Sequence, residues 1–386
     1  MRFKGLTALC MLVLASGACR ATSTLIRYQT ADDFARLTLS HARWDARAGG
    51  VVFDASVPGK PVGAIPRGIV ESPAVESPEV PVPAGFNQAI VSWNASTPPG
   101  SYLSVYMRAR VGGRWTKWYN LGLWNMDGRP MHKTTFGKQK DSFGDVDTET
   151  LKLNKNADAF KVRLQLESSD GKTYPTVRFL AVNLNDGTWQ TDVPPVKQVW
   201  GTELDVPYLC QLSVKGGGVW CSPTSTAMVL GYWSKELHRP DLKIGITQAA
   251  KNTYDTDWGG TGNWSFNVDY AGEFKGIRAY VTRFTSVSQI EQWIAKGVPV
   301  VTALNYSTLN GVDNKITGHL MVIRGFTKDG DPVFNDPWAR LEKGEKLRKV
   351  FPRKNLEQAW LGPGGSWGTV YIIYPEALAE KVESGK

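Results

Sequence analysis

Along the chain the spacing of apolar residues changes character near residue 200. Before it, apolar and polar positions alternate in twos. In YLSVYMRARV (102–111), Leu103, Val105, Met107, Ala109 and Val111 alternate with Ser104, Tyr106, Arg108 and Arg110. In FKVRLQLES (160–168), Phe160, Val162, Leu164 and Leu166 alternate with Lys161, Arg163, Gln165 and Glu167. A period of two over that length predicts strands with one buried and one wet face. Gly112 and Gly113 form a hairpin-type turn after the first of them. VESPAVESPEVPVPAG (70–85) is so rich in proline that it must run extended. No helical period occurs between about 85 and 185. Residues 51–190 are therefore expected to fold as an antiparallel β-sandwich. The polar stretch 19–50 is a separate N-terminal segment.

Turn residues and the prolines of TDVPPVKQVW mark a linker at 191–200. Beyond it SPTSTAMVLGYW reads as a helix. SVSQIEQWIAKG (286–297) reads as another, with Ser288 and Glu291 at capping-box spacing, Ile290, Trp293 and Ile294 on one face, and Gly297 at its end. VPVVTALN, HLMVIRGF, DPVFND and WGTVYIIY read as strands. Helices precede strands, so residues 201–378 form an α+β domain with segregated layers, and 379–386 are a C-terminal tail.

At 386 residues the chain is long enough for two ordinary domains, and its apolar (42%) and charged (21%) fractions are those of a globular protein. The first residues alter that picture. Arg2 and Lys4 precede LTALCMLVLA, an apolar run too short to span a bilayer, and SGAC ends at Cys19. Residues 1–18 are read as an export signal. Ordinary cleavage would give a freely secreted protein; a lipobox reading would make Cys19 a lipidated first residue, with Ser16 where leucine is usual. The mature protein is then extracellular, periplasmic or lipid-anchored, touching the membrane only through that lipid. Loss of Arg2 and Lys4 with the leader takes the net charge from +9 to +7. Basic stretches such as EKGEKLRKVFPRK read as solvated faces, with attraction to anionic cell-wall polymers as the functional alternative. No nucleic-acid motif accompanies the charge. No Cys/His set has zinc spacing, and neither a phosphate loop nor a dinucleotide fingerprint occurs, so no metal or cofactor is expected.

The chemistry-bearing residues lie after 200. Cys221 is followed by Ser222 and Pro223, and proline favours the first helical position. A thiol at a helix N-terminus is acidified by free N–H groups and the helix dipole, which is what a nucleophile needs. The alternative for Cys221 is a disulfide with Cys210. The glycines 216–218, Gly218 among them, would let a substrate approach the backbone. Of four histidines, His41 and His132 read as surface residues, and His238 falls at the far end of the helix that Cys221 opens. His319 begins an apolar strand and Asp336 ends the next, so neighbouring antiparallel strands would put both at one end of a sheet. The carboxylate would there fix one imidazole tautomer. Asn335 is a rival for that role. Gln211 would donate to an oxyanion beside the Cys221 N–H. Trp258 and Trp264 bracket a glycine-rich loop and are candidates for a substrate lip, Trp264 equally for the core. Trp115, Trp118, Tyr119 and Trp124 form either a sugar platform or part of the first domain's core.

VPYLCQLSVKGGGVWCSPTSTAMVLGYW followed by GHLMVIRGFTKDGDPVFNDPWA resembles the papain-like cysteine peptidases of the bacteriocin-processing type, family C39, in its secreted branch without a transporter. The resemblance covers about 200–375. GTGNWSFNVDYAG and AWLGPGGSWGTVYIIYP look like the same branch, and SWNASTPPGSYLSVYMRARVGGRWTKWY like the domain that often precedes it. It implies a papain-like fold with Cys221 as nucleophile, His319 as general base, Asp336 orienting the histidine and Gln211 as oxyanion donor. The implied activity is peptide-bond hydrolysis through an acyl-enzyme, on a peptide or protein substrate. Two other readings of the same residues remain: a Cys-dependent amidase or acyl transferase, and an inactive cell-surface protein binding a cell-wall polymer through the sandwich.

Overall fold

The computed structural model describes residues 23–57, 72–128, 131–188, 193–312 and 317–383. The segment 1–18 expected to be an export signal, Cys19 and the last three residues lie outside these. The N-terminal half is built on four long strands: β1 (Val80–Ser96), β2 (Ser101–Val111), β3 (Thr150–Ser168) and β4 (Thr176–Asn185). Every ladder in this half is antiparallel. Among the described residues the ladders join into a single twelve-stranded sheet. The alternation seen in the sequence fixes its register: Val162 faces Met107 and Leu164 faces Val105 across the β3–β2 ladder. Residues 19–50 are not set apart from this domain. Ser23–Tyr28 pairs with β4 along its full length.

The second half begins with α1 (Cys221–Glu236) and α2 (Trp264–Glu273). They pack on a six-stranded antiparallel sheet, whose strands are β5 (Ile277–Arg283), β6 (Val300–Leu304), β7 (His319–Phe326), β8 (Pro332–Asn335), β9 (Arg348–Val350) and β10 (Thr369–Pro375). The spatial order is β5-β10-β6-β7-β8-β9. The helix expected at 286–297 is present as Val287–Ala295, with Gly297 left-handed at φ 81° beyond its end. Its capping box is not formed. Ser288 instead donates to the Pro194 carbonyl at 2.8 Å, and buried Glu291 accepts from Val196 N–H, Trp200 Nε1 and Arg353. Both side chains tether the linker, a use that local spacing does not encode.

Sheet edges must be covered or they recruit other chains. The free edge of β5 is covered by side chains of β1. Asn94 Nδ2 donates to the Ala279 carbonyl at 2.7 Å, its Oδ1 accepts from Ala279 N–H at 3.0 Å, and Ser92 Oγ accepts from Val281 N–H. Asp269 and Glu273 on α2 accept from Trp93 N–H and Trp124 Nε1 of the first domain. One continuous apolar core runs through both halves, with Trp124 against Phe266 and Phe179 against Tyr280 at the seam. Of the aromatic set, Tyr119 and Trp124 are buried, whereas Trp115 and Trp118 both lie against the Arg108 guanidinium.

Candidate active site

Antiparallel strands that alternate in direction bring distant residues to one end of a sheet. Here that end carries the finish of β6, the start of β7 and the residue just after β8. Leu304 pairs with His319, and Asp336 follows Asn335. Cys221, the first residue of α1, faces them from the helix layer. Its neighbour Ser222 is locked to Tyr371 of β10 by a 2.8 Å hydroxyl pair, which fixes the helix start above the sheet.

His319 is 4% exposed, and its Nε2 lies 2.7 Å from Asp336 Oδ1. The imidazole and the Cys221 thiol also act on each other's protonation, and with Nε2 on Asp336 the nitrogen left for the sulfur is Nδ1. Burial pushes the thiol up, but the hydrogen bond and charge of His319 outweigh it, helped by the N–H groups of Leu320 and Ser222. The net shift is downward. Burial likewise opposes a charged imidazole, yet the Asp336 and Cys221 contacts carry His319 up to about 9. A thiolate beside an imidazolium is the resting form of a sulfur nucleophile.

Asp336 is fully buried, and burial opposes its charge, but His319 and Lys349 hold its pKa below the ordinary carboxylate value. Oδ1 also accepts from Trp338 N–H at 2.9 Å. Oδ2 accepts from Lys349 Nζ at 2.6 Å and from the Tyr306 hydroxyl at 2.9 Å. The Tyr306 ring packs on the imidazole edge, with centroids 4.7 Å apart. Neither Lys349 nor Tyr306 was singled out by the sequence. Lys349 sits inside the basic stretch read as a solvated face, yet it is only 22% exposed at the side chain. The available signal is the period of two in β9, where Arg348 and Val350 point outward and Lys349 is turned inward.

Asn335 takes another role. Its Nδ2 donates to the Val206 and Pro207 carbonyls, tying the strand to the segment after the linker. Gln211 is buried, and its backbone N–H donates to the Pro337 carbonyl, which places it beside the Asp336 turn. Its Nε2 donates to the Gly217 carbonyl at 2.8 Å, leaving one N–H of that amide available. The glycine run serves the chain before any substrate. Gly216 is left-handed at φ 86°, and a Cβ at Gly217 would lie 1.7 Å from the Gln211 carbonyl oxygen. Gly218 is exposed with open space around its Cα.

Cys210 and Cys221 are both free thiols. The disulfide alternative is therefore not realised: Cys210 points away and donates to the Ala339 carbonyl at 3.2 Å. His238 is exposed beyond the last turn of α1, and His132 is exposed in the first domain. Half-buried His41 also lies in the first domain. Trp264 is the half-buried first residue of α2, and Trp258 is exposed in the loop before it.

A thiol beside an imidazole that is in turn hydrogen-bonded to a carboxylate is the equipment of a cysteine hydrolase. Two family models match the chain. Residues 24–185 match the peptidase C39 N-terminal domain, and residues 203–366 match the peptidase C39-like family. The two matches together run from residue 24 to residue 366, and they support a C39-like peptidase, with residues 203–366 as its peptidase domain. Among solved structures, a putative C39-like peptidase from Bacillus anthracis is 17% identical, covering 45% of this chain and 98% of its own, with a TM-score of 0.35. No curated protein matches the chain.

Proposed function

We propose that this protein is a cysteine peptidase of papain-like layout that hydrolyses peptide bonds through an acyl-enzyme. The observation that carries the reading is the line Cys221–His319–Asp336 at one end of the sheet, with half-buried Cys221 in front of the buried His319 and Asp336. The Cys221 thiolate attacks the carbonyl carbon, and the negative charge moves to the carbonyl oxygen. The Cys221 backbone N–H and the second N–H of Gln211 Nε2 stabilise that oxygen. The His319 imidazolium passes its Nδ1 proton to the departing amine, so the C–N bond breaks and a thioester remains. Neutral His319 then takes a proton from water as the water oxygen attacks the thioester carbon; the C–S bond breaks, the acid product leaves, and the Cys221 thiolate is restored beside the His319 imidazolium. Asp336 remains ionised throughout and holds the ring with Nδ1 toward sulfur. Gly218, exposed with open space beside it, and half-buried Trp264 at the start of α2 are the residues proposed to contact the substrate. The reading includes export through residues 1–18, with Cys19 the first mature residue; mass analysis of the mature N-terminus distinguishes a free from a lipidated end.

Cleavage profiling on a diverse peptide pool tests the reading. Wild-type protein should cut, and Cys221→Ala should not. Products from Cys221→Ala at the wild-type rate, or amine-transfer products without hydrolysis, would replace it.

A further inference from the structure

A cavity of about 380 Å³ lies between the two domains. Its walls combine Glu149 and Gln88 from the first domain with Arg283, Trp258, Trp264 and Trp367 from the second. Arg283 is 4% exposed. Its Nε donates to Thr369 and its Nη1 to Gln88 Oε1 at 2.6 Å, while its guanidinium lies 5.6 Å from the Trp367 ring centroid. Among the described residues no carboxylate comes within ion-pair distance, and Nη2 has no hydrogen-bond acceptor. A buried guanidinium without a counter-ion is costly unless something else supplies the anion.

The surrounding charges do not supply it. Asp147, on the same wall, is paired with Lys152 at 2.6 Å. Glu149 is buried under the start of α2, accepting from Trp264 N–H and Thr150 Oγ1. Burial raises its pKa to about 8, which weakens it as a counter-ion to Arg283, the guanidinium its charge reaches without an ion pair. The cavity therefore presents the Arg283 guanidinium, with no ion-pair partner among the described residues, between three indole walls.

The position relates this cavity to Cys221. Arg283 ends β5 at the same end of the sheet at which His319 begins β7, and the strand order puts three spacings between them. At about 4.8 Å per spacing this is about 14 Å, the reach of about four extended peptide residues. The loop before α2 is bound to the loop before α1, since Thr261 Oγ1 donates to the Val219 carbonyl. Ser366, also on the cavity wall, donates to the Ala303 carbonyl at the end of β6.

We infer that this cavity is the far subsite of the substrate cleft and takes a peptide carboxylate, bound by Arg283, about four residues from the bond cleaved. The inference rests on Cys221 and His319 being the reacting pair. The carboxylate is that of a chain terminus or of an acidic side chain, with an apolar neighbour against the indoles. The N-terminal domain is then part of the substrate site.

Binding to the full-length Cys221→Ala protein tests this without turnover. The probes are eight-residue Ala/Ser/Phe peptides with a C-terminal carboxylate, with a C-terminal amide, or with the amide and one internal Glu in place of Gln. The free acid or the Glu peptide should bind about tenfold tighter than the neutral peptide. Whichever does so names the source. Arg283→Gln should reduce that preference to less than about twofold. If circular dichroism shows Arg283→Gln to be unfolded, Trp258→Ala at a 49% exposed position replaces it and should weaken the same peptide several-fold. Equal affinity for all three peptides, or a preference untouched by the folded variant, overturns the inference. Carboxylate-selective binding with no cleavage by wild type keeps the anion site and removes the peptidase reading instead.

Discussion

His319 and Asp336 stand seventeen positions apart in the chain and 2.7 Å apart in space, nitrogen to oxygen, at the end of one antiparallel strand pair. The pair is buried, and the carboxylate is saturated by Trp338 N–H, Tyr306 and Lys349 on its remaining lone pairs. The geometry leaves the ring no freedom to turn its other nitrogen away from Cys221. Asp336→Ala removes the holder and strands Lys349 beside the imidazole. Its kcat/KM should fall on the order of 10²–10⁴-fold, with the reactivity of Cys221 toward iodoacetamide falling too. Unchanged thiol reactivity would show that Asp336 does not tune the pair.

The two pKa directions define a pH window. The thiol is lowered from its ordinary value, and the imidazole is raised to about 9. Between them the ion pair persists. Lowering the pH protonates sulfur first, and raising it through about 9 removes the imidazolium proton needed by the leaving amine. The kcat/KM profile should be a bell with its alkaline limb near 9. A limb near 6.5, the unperturbed histidine value, would contradict the paired state.

Lys349 tests how far the cation behind Asp336 matters. Its Nζ sits on the oxygen that does not touch His319, competing with the imidazolium for the same negative charge. Lys349→Met should move the alkaline limb upward and lower kcat less than about tenfold, because Tyr306 still satisfies Oδ2. A solvated lysine would shift nothing.

The period of two announced strands of the first half, short apolar runs announced those of the second, and the Cys-Ser-Pro sequence announced a helix start at Cys221. Placing His319 and Asp336 at strand ends required only the apolar runs beside them. What was not legible depends on tertiary neighbours. Lys349 lies in a run of charges whose solvated reading is correct for Arg348 and fails one residue later, because β9 turns alternate side chains inward. Ser288 and Glu291 have the spacing of a cap but are drawn away by the linker. Cys210, a plausible disulfide partner from spacing alone, is aimed at Ala339. Arg283 is an unremarkable strand residue in sequence, and only the meeting of two domains makes it a buried cation.

Cys210→Ser should leave activity within about twofold of wild type and remove one titratable thiol, since its sulfur makes one neutral hydrogen bond away from the reacting atoms. Under non-reducing conditions, peptide mapping should recover Cys210 and Cys221 unlinked. Recovery of a Cys210–Cys221 disulfide would instead mark a reversible off state.

The seam between the domains gives the last prediction. Asn94 supplies both a donor and an acceptor to Ala279, doing for β5 what a neighbouring strand would do. Gly272 lies against it so closely that a Cβ there would come within 2.2 Å of Asn94 Nδ2. Asn94→Ala leaves a buried N–H and a buried carbonyl unpaired, and should cost about 2–4 kcal/mol in urea denaturation. Because one core runs through both halves, the loss should shift a single transition of the whole chain. Two transitions, with only the first displaced, would show that the halves unfold independently and that the edge of β5 is not held from across the seam.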